Sequence, residues 1–161
     1  MKKILCAFLV IFTLCGCNKI AKNITPHTKG ITFNAQATYY NECYECNVEI
    51  EQNGDTVITI TEPNDIEGLI FSYKGNETLI SYKGLEYKTN NNSPEISVAD
   101  FIYSVFQNPT GDIIKDNDNL YIEGKTKKNN YKLFLGATGL PLKITTTSGG
   151  YEVIIKNATI K

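Results

Sequence analysis

Cys43 and Cys46 are the residues whose type and spacing most suggest chemistry. A Cys-x-x-Cys pair serves redox exchange or half of a zinc site. Zinc needs two further ligands, and the sole histidine, His27, stands in a polar stretch ahead of the first patterned segment. No metal and no cofactor are therefore expected. A redox pair normally opens a helix, where the thiolate is stabilised. Here Tyr44, Cys46, Val48 and Ile50 alternate with Glu45, Asn47, Glu49 and Glu51, so Cys46 is an inward-facing strand residue. With Cys43 also extended, the two Cα atoms would be roughly 10 Å apart, beyond disulfide reach. Two structural thiols fit this pattern, and so does a local Cys43–Cys46 disulfide if residues 41–46 make a turn. Asp112, Asp116 and Asp118 imitate part of a calcium loop but lack its glycine and closing glutamate, and read as an acidic turn. A single histidine leaves no Ser-His-Asp or Cys-His arrangement to assemble, so the chain is not expected to be an enzyme.

A different cysteine closes the N-terminal segment. Met1-Lys2-Lys3 is followed by an apolar run from Ile4 to Leu14 and then Cys15-Gly16-Cys17. A short basic start, an apolar core and small residues at the end make a secretory signal. The run falls short of the roughly 20 residues that span a bilayer. Its ending resembles the bacterial lipoprotein signal, with Leu14 at the third position before Cys17 and Gly16 just before it. That resemblance implies cleavage after Gly16 and a diacylglycerol, with palmitate-type chains, on Cys17. The other reading is an ordinary secretory signal with a chance cysteine. The expected organisation is a signal peptide at 1–16, a tether at 17–29 and one domain at 30–161, held on the extracytoplasmic face of a cell membrane.

Composition narrows the partners. The chain of 161 residues carries a formal charge of −1, and Lys2 and Lys3 leave with the signal. No broad basic excess invites nucleic acid. The chain has no arginine and no tryptophan but is rich in Asn, Lys, Ile and Tyr, a bias typical of low-GC Gram-positive bacteria. Between Lys29 and Lys74 stand Glu42, Glu45, Glu49, Glu51, Asp55, Glu62, Asp65 and Glu67 with no base among them. Lys125, Lys127, Lys128 and Lys132 cluster later. These are two solvated strand faces, or else surfaces for a cationic partner and for anionic headgroups.

The elements follow from periodicity. Residues 18–29 form a polar tether with Pro26, enough as a coil to hold the domain roughly 20 Å from a membrane. Period-two alternation then predicts strands over 31–39 and 44–51, a hairpin turn at Asn53-Gly54-Asp55, and a returning strand over 56–61. A hairpin over 66–74 and 77–83 turns at Gly75-Asn76, and Leu85 to Thr89 continues it. Val98, Phe101, Ile102, Val105 and Phe106 make one stripe of an amphipathic helix, capped by Ser97 with Asp100 and stopped by Pro109 and Gly111. Strands resume over 119–125, 131–136, 142–147 and 151–160. The fold class is thus mainly β (α+β), a curved antiparallel half-barrel sheet of about nine strands with one amphipathic helix.

One helix of about three turns cannot seal a sheet that wide. Either the sheet closes on itself or an apolar hollow remains between sheet and helix, the usual form of a lipid site. Leu69, Phe71, Tyr73, Phe101, Val105, Leu133 and Leu135 are the candidate lining. Seven Phe and ten Tyr supply aromatic surface. The same residues would equally serve as plain core.

The order of elements resembles the LolA/LolB-type lipoprotein-carrier superfamily, which includes clostridial-type lipoproteins. The carrying residues are Ile60-Thr61-Glu62-Pro63 followed by Ile66-Glu67-Gly68-Leu69-Ile70-Phe71, a hairpin ending Tyr82-Lys83-Gly84-Leu85, the mid-chain helix, Tyr131-Lys132-Leu133, and Thr138-Gly139-Leu140-Pro141. The resemblance covers residues 30–161. It implies a half-closed sheet around a cavity that takes acyl chains or binds partners. Two features of the carriers are missing: a long helix before the first strand and an arginine inside the cavity. The expected role is therefore an anchored protein that binds a hydrophobic small molecule or lipid. The alternative is a sensor or interaction module docking on an envelope protein, as the similarity to spore-germination lipoproteins implies.

Overall fold

The computed structural model describes residues 24–90, 97–107, 109, 111–147 and 150–161. Alternating apolar and polar residues make eleven strands among them. The first six are β1 (Ile31–Tyr39), β2 (Glu42–Ile50), β3 (Thr56–Glu62), β4 (Ile70–Lys74), β5 (Glu77–Tyr82) and β6 (Leu85–Asn90). After the helix α1 (Val98–Gln107) come β7 (Ile113–Asp116), β8 (Asn119–Lys125), β9 (Asn130–Leu135), β10 (Pro141–Thr146) and β11 (Tyr151–Ile160). All lie in one open antiparallel sheet ordered β6-β5-β4-β3-β2-β1-β11-β10-β9-β8-β7. Eleven strands exceed the expected nine because two turns reverse the chain. Lys83 and Gly84 both take left-handed backbone (φ 49 and 84) and fold Leu85–Asn90 back as β6. That is the primed two-residue turn whose twist suits a hairpin. Asn117 (φ 53) does the same between β7 and β8.

One face of the sheet is dry from β4 across to β8. Phe33, Val48, Ile58 and Phe71 stand opposite one another across β1 to β4. Val153, Ile144, Leu133 and Ile122 form the matching row across β11 to β8. The other face is polar, joined by cross-strand pairs such as Asn34–Asn47, Thr32–Thr159 and Lys132–Glu123. A period of two sends every second residue to each face, so the alternation in sequence becomes this division in space.

The helix α1 lies on the dry face. Ser97 caps it as its sequence predicts: the Asp100 amide donates to Ser97 Oγ (3.1 Å) and Ser97 Oγ donates to Asp100 Oδ2 (2.8 Å). Phe101, Ile102, Val105 and Phe106 are buried from solvent. Tyr103 stacks on Tyr73 of β4 at 4.0 Å, and Phe101 on Tyr151 of β11 at 4.3 Å. Tyr131 of β9 donates a long 3.5 Å hydrogen bond to the Val105 carbonyl. In a flat sheet β4 and β9, six spacings apart, would be separated by roughly 29 Å. A helix about 10–12 Å across touches both, so the sheet curves around it. Residues 24–29, the last part of the expected tether, are docked: His27 N–H donates to the Gly139 carbonyl (2.9 Å), and Ile24 packs on the core.

Candidate functional site at the open end of the inner face

All seven residues expected to line a hollow lie on the inner face or on α1, but the structure divides them. Tyr73, Phe101, Val105, Leu133 and Leu135 are buried in the common core. Tyr73 also donates to Asp100 Oδ1 (2.9 Å), and burial, with the nearby Asp100 charge, raises its phenol well above the ordinary range. Gln107 at the other helix end donates to the Gly54 carbonyl (2.8 Å). These contacts pin α1 over the middle of the sheet. Leu69 and Phe71 instead stand where the cover ends, Leu69 half-buried and Phe71 almost fully buried.

From Phe71 the inner row runs on to Ile80 and then to Tyr87 at the sheet edge. Ile80 is half-buried, Tyr87 is 64% exposed and its neighbour Leu85 is 75% exposed. A 3-10 turn at Asn64–Ile66 forms one bank: Ile66 packs on the core, and Tyr82 donates to the Asp65 carbonyl (2.7 Å). The result is an apolar shelf of Ile66, Leu69, Ile80, Leu85 and Tyr87 floored by Phe71. The sequence pattern does not single out Ile66, Ile80 or Leu85. The signal for Leu85 was the Tyr82-Lys83-Gly84-Leu85 turn, which folds β6 onto β5 and brings its odd-numbered residues to the inner face.

A separate hollow of about 200 Å³ is walled by Ser72, Lys74, Glu77, Thr78, Leu79 and Lys88. It is smaller than the 300–1,000 Å³ usual for a ligand site and is rich in charge. Three carboxylates of the acidic run are paired with lysines of the C-terminal strand and its end. Lys161 bridges Glu49 (3.1 Å) and Glu51 (2.7 Å), and Lys156 stands 3.8 Å from Glu45.

Cys43 and Cys46 are free thiols, and the local disulfide is not formed. Both belong to β2, three residues apart, so Cys43 faces the polar side and Cys46 the core. Burial, helped by the Glu45 charge, pushes the Cys46 thiol up to about 12. Among the described residues no group of three His, Cys, Asp or Glu side chains could hold a metal ion. No described helix is long and apolar enough to cross a membrane. The signal segment and Cys17 lie outside the described residues.

No family model matches the chain, and neither does any curated protein. Solved structures do. The chain is similar to an uncharacterized conserved protein from Thermus thermophilus, with a TM-score of 0.56 and 10% identity over 84% of this chain and 80% of that one. It is also similar to a LolA superfamily protein from Nitrosomonas europaea, with a TM-score of 0.49 and 11% identity over 89% and 91%. A third neighbour is a DUF1329 family protein from Desulfovibrio piger, at 0.43 and 11% over 84% and 87%. At such identities likeness extends to the fold alone, and the first neighbour shows that this curved sheet with its inner helix is a fold found in another protein.

Proposed function

We propose that this chain is a lipid-anchored extracytoplasmic binding protein that takes an acyl chain or similar apolar ligand on the shelf beside α1. The observation that carries the reading is a mismatch of sizes. The apolar inner face is eleven strands wide, and the ten-residue helix covers only its middle. A chain laid from Leu85 toward Phe71 would touch the core directly. Each buried methylene contributes about 0.8 kcal/mol, so an eight-carbon contact is worth roughly 6 kcal/mol before the cost of ordering it. The role is binding rather than catalysis. The address rests on the Leu14-Cys15-Gly16-Cys17 signature, which supplies membrane attachment through the lipid on Cys17. Docking on an envelope protein through the acidic face is the weaker reading, because Lys156 and Lys161 already occupy Glu45, Glu49 and Glu51.

The test is titration of the full chain with a fluorescent fatty-acid analogue. Saturable binding is expected, weakened about tenfold or more by Leu69→Asp or Ile80→Asp, a loss of at least about 1.4 kcal/mol. Ile154→Asp, on the polar face, is the control. Non-saturable binding, or equal loss in all three variants, would refute the shelf. Metabolic labelling with a palmitate analogue tests the anchor: label on the wild type and none on Cys17→Ser is expected, and label persisting on Cys17→Ser overturns it.

A further inference from the structure

We propose that β6 is a self-association edge, along which two copies of this chain pair antiparallel about a twofold axis in a single register. Among the described residues β6 ends the sheet and pairs only with β5. Tyr82 and Leu85 close a two-residue turn, which makes them a hydrogen-bonded pair. Alternation from that pair fixes the rest of β6. The backbone groups of Leu85 and Tyr87 point to β5, and those of Glu86, Lys88 and Asn90 point outward. Leu85 to Lys88 are exposed side chains on this edge.

Twofold pairing sets a strand against itself, so each contact occurs twice. The alternation admits only registers that put outward-pointing residues opposite one another. Glu86 against Glu86, or Lys88 against Lys88, sets like charges face to face, which is destabilising. The register between them sets Glu86 against Lys88 and Lys88 against Glu86, and among all registers that pair Glu86, Lys88 and Asn90 it alone places opposite charges face to face. Both are hydrogen-bonded pairs and carry four backbone hydrogen bonds, with two opposite-charge contacts on the polar face. The same register brings Tyr87 against its own copy in the close, non-hydrogen-bonded position on the inner face. The charge order of β6 thus fits a second copy of β6. A six-residue edge buries little area, so the dimer is weak and concentration-dependent. It would join the two apolar shelves across one continuous sheet, and it stands whether or not a ligand binds there.

Sedimentation of the full chain in detergent solution tests this. A monomer–dimer equilibrium is expected. Glu86→Lys, which sets lysine against Lys88, should weaken it at least about tenfold. The double exchange Glu86→Lys with Lys88→Glu should restore it, because the opposite-charge register is regenerated. Far-UV circular dichroism and the unfolding midpoint should stay unchanged throughout. A wild-type chain that stays monomeric at about 1 mM, a dimer indifferent to Glu86→Lys, or a double exchange that fails to restore association would each overturn the proposal.

Discussion

Gly124 and Tyr131 face each other across β8 and β9, and the glycine makes room for the ring. A Cβ at position 124 would overlap the tip of the Tyr131 ring, Cζ and the hydroxyl together. Tyr131 is 2% exposed, so the ring has no vacant side to enter. For Gly124→Ala the tip must travel about 1 Å to reach ordinary contact distance. The path leads toward α1, whose Val105 carbonyl already meets the hydroxyl at 3.5 Å. Overpacking of this kind costs about 1–3 kcal/mol, or roughly 3–10 °C in midpoint for a domain of this size. Tyr131→Leu removes the ring tip and by itself costs about 2–4 kcal/mol. In that background Gly124→Ala should cost nothing, since alanine loses less backbone entropy than glycine on folding. Urea unfolding of the four proteins measures the coupling, expected at about 1–3 kcal/mol. A Gly124→Ala protein within about 0.5 kcal/mol of wild type, or one equally destabilised in both backgrounds, would refute the reasoning.

Four further outcomes follow from neighbouring parts of the fold. Tyr73→Phe removes the donor to Asp100 beneath the start of α1 and should cost about 1–2 kcal/mol in chemical unfolding with the fold retained. Cys43 should react with a thiol reagent in the native protein, whereas Cys46 should react only after unfolding. The Cys46 thiol stays protonated in the folded chain up to about 12, while the unfolded chain releases its proton from about 9.0, so its contribution to stability is lost as pH rises through that interval. Alkaline unfolding titrations should show the decline, and Cys46→Ala should make it shallower, the remainder coming from tyrosines such as Tyr73 whose phenols are also raised by burial. Gly139→Ala places a Cβ on left-handed backbone (φ 82) and against the Thr25 carbonyl. It should release residues 24–29, seen as faster proteolysis there.

The sequence patterns that carried most of the fold are local ones. Ile31 to Tyr39 and Tyr44 to Ile50 alternate cleanly because each strand has one dry and one wet face, and the stripe Val98–Phe106 could be nothing but a helix lying on such a face. β6 was harder to see as a separate strand. It has no buried residue of its own, since it is an edge, and only the left-handed pair Lys83-Gly84 betrays the reversal. The expected lining residues share a face but not a place. Leu69 and Phe71 reach the shelf and Tyr73, Phe101, Val105, Leu133 and Leu135 do not, because where α1 rests depends on Tyr73, Tyr131 and Gly54, residues far from it in sequence. The disulfide alternative failed for the most local reason, that two positions three apart in a strand point opposite ways.

The sheet order also says how the chain comes together. β1 to β6 form one meander and β7 to β11 another, each built of hairpins between sequence neighbours. β1 against β11, Ile31 beside Ile160, is the one strand pairing that joins the two among the described residues, aided by the helix stitched to both sides and by the ion pairs of Lys156 and Lys161 with β2 and Glu51. That seam closes the longest loop in the molecule and so should be the slow, late step of folding. It also makes the protein divisible. Expressed as two pieces cut between α1 and β7, the meanders carry complementary zipper strands, and their reunion would report on the seam alone.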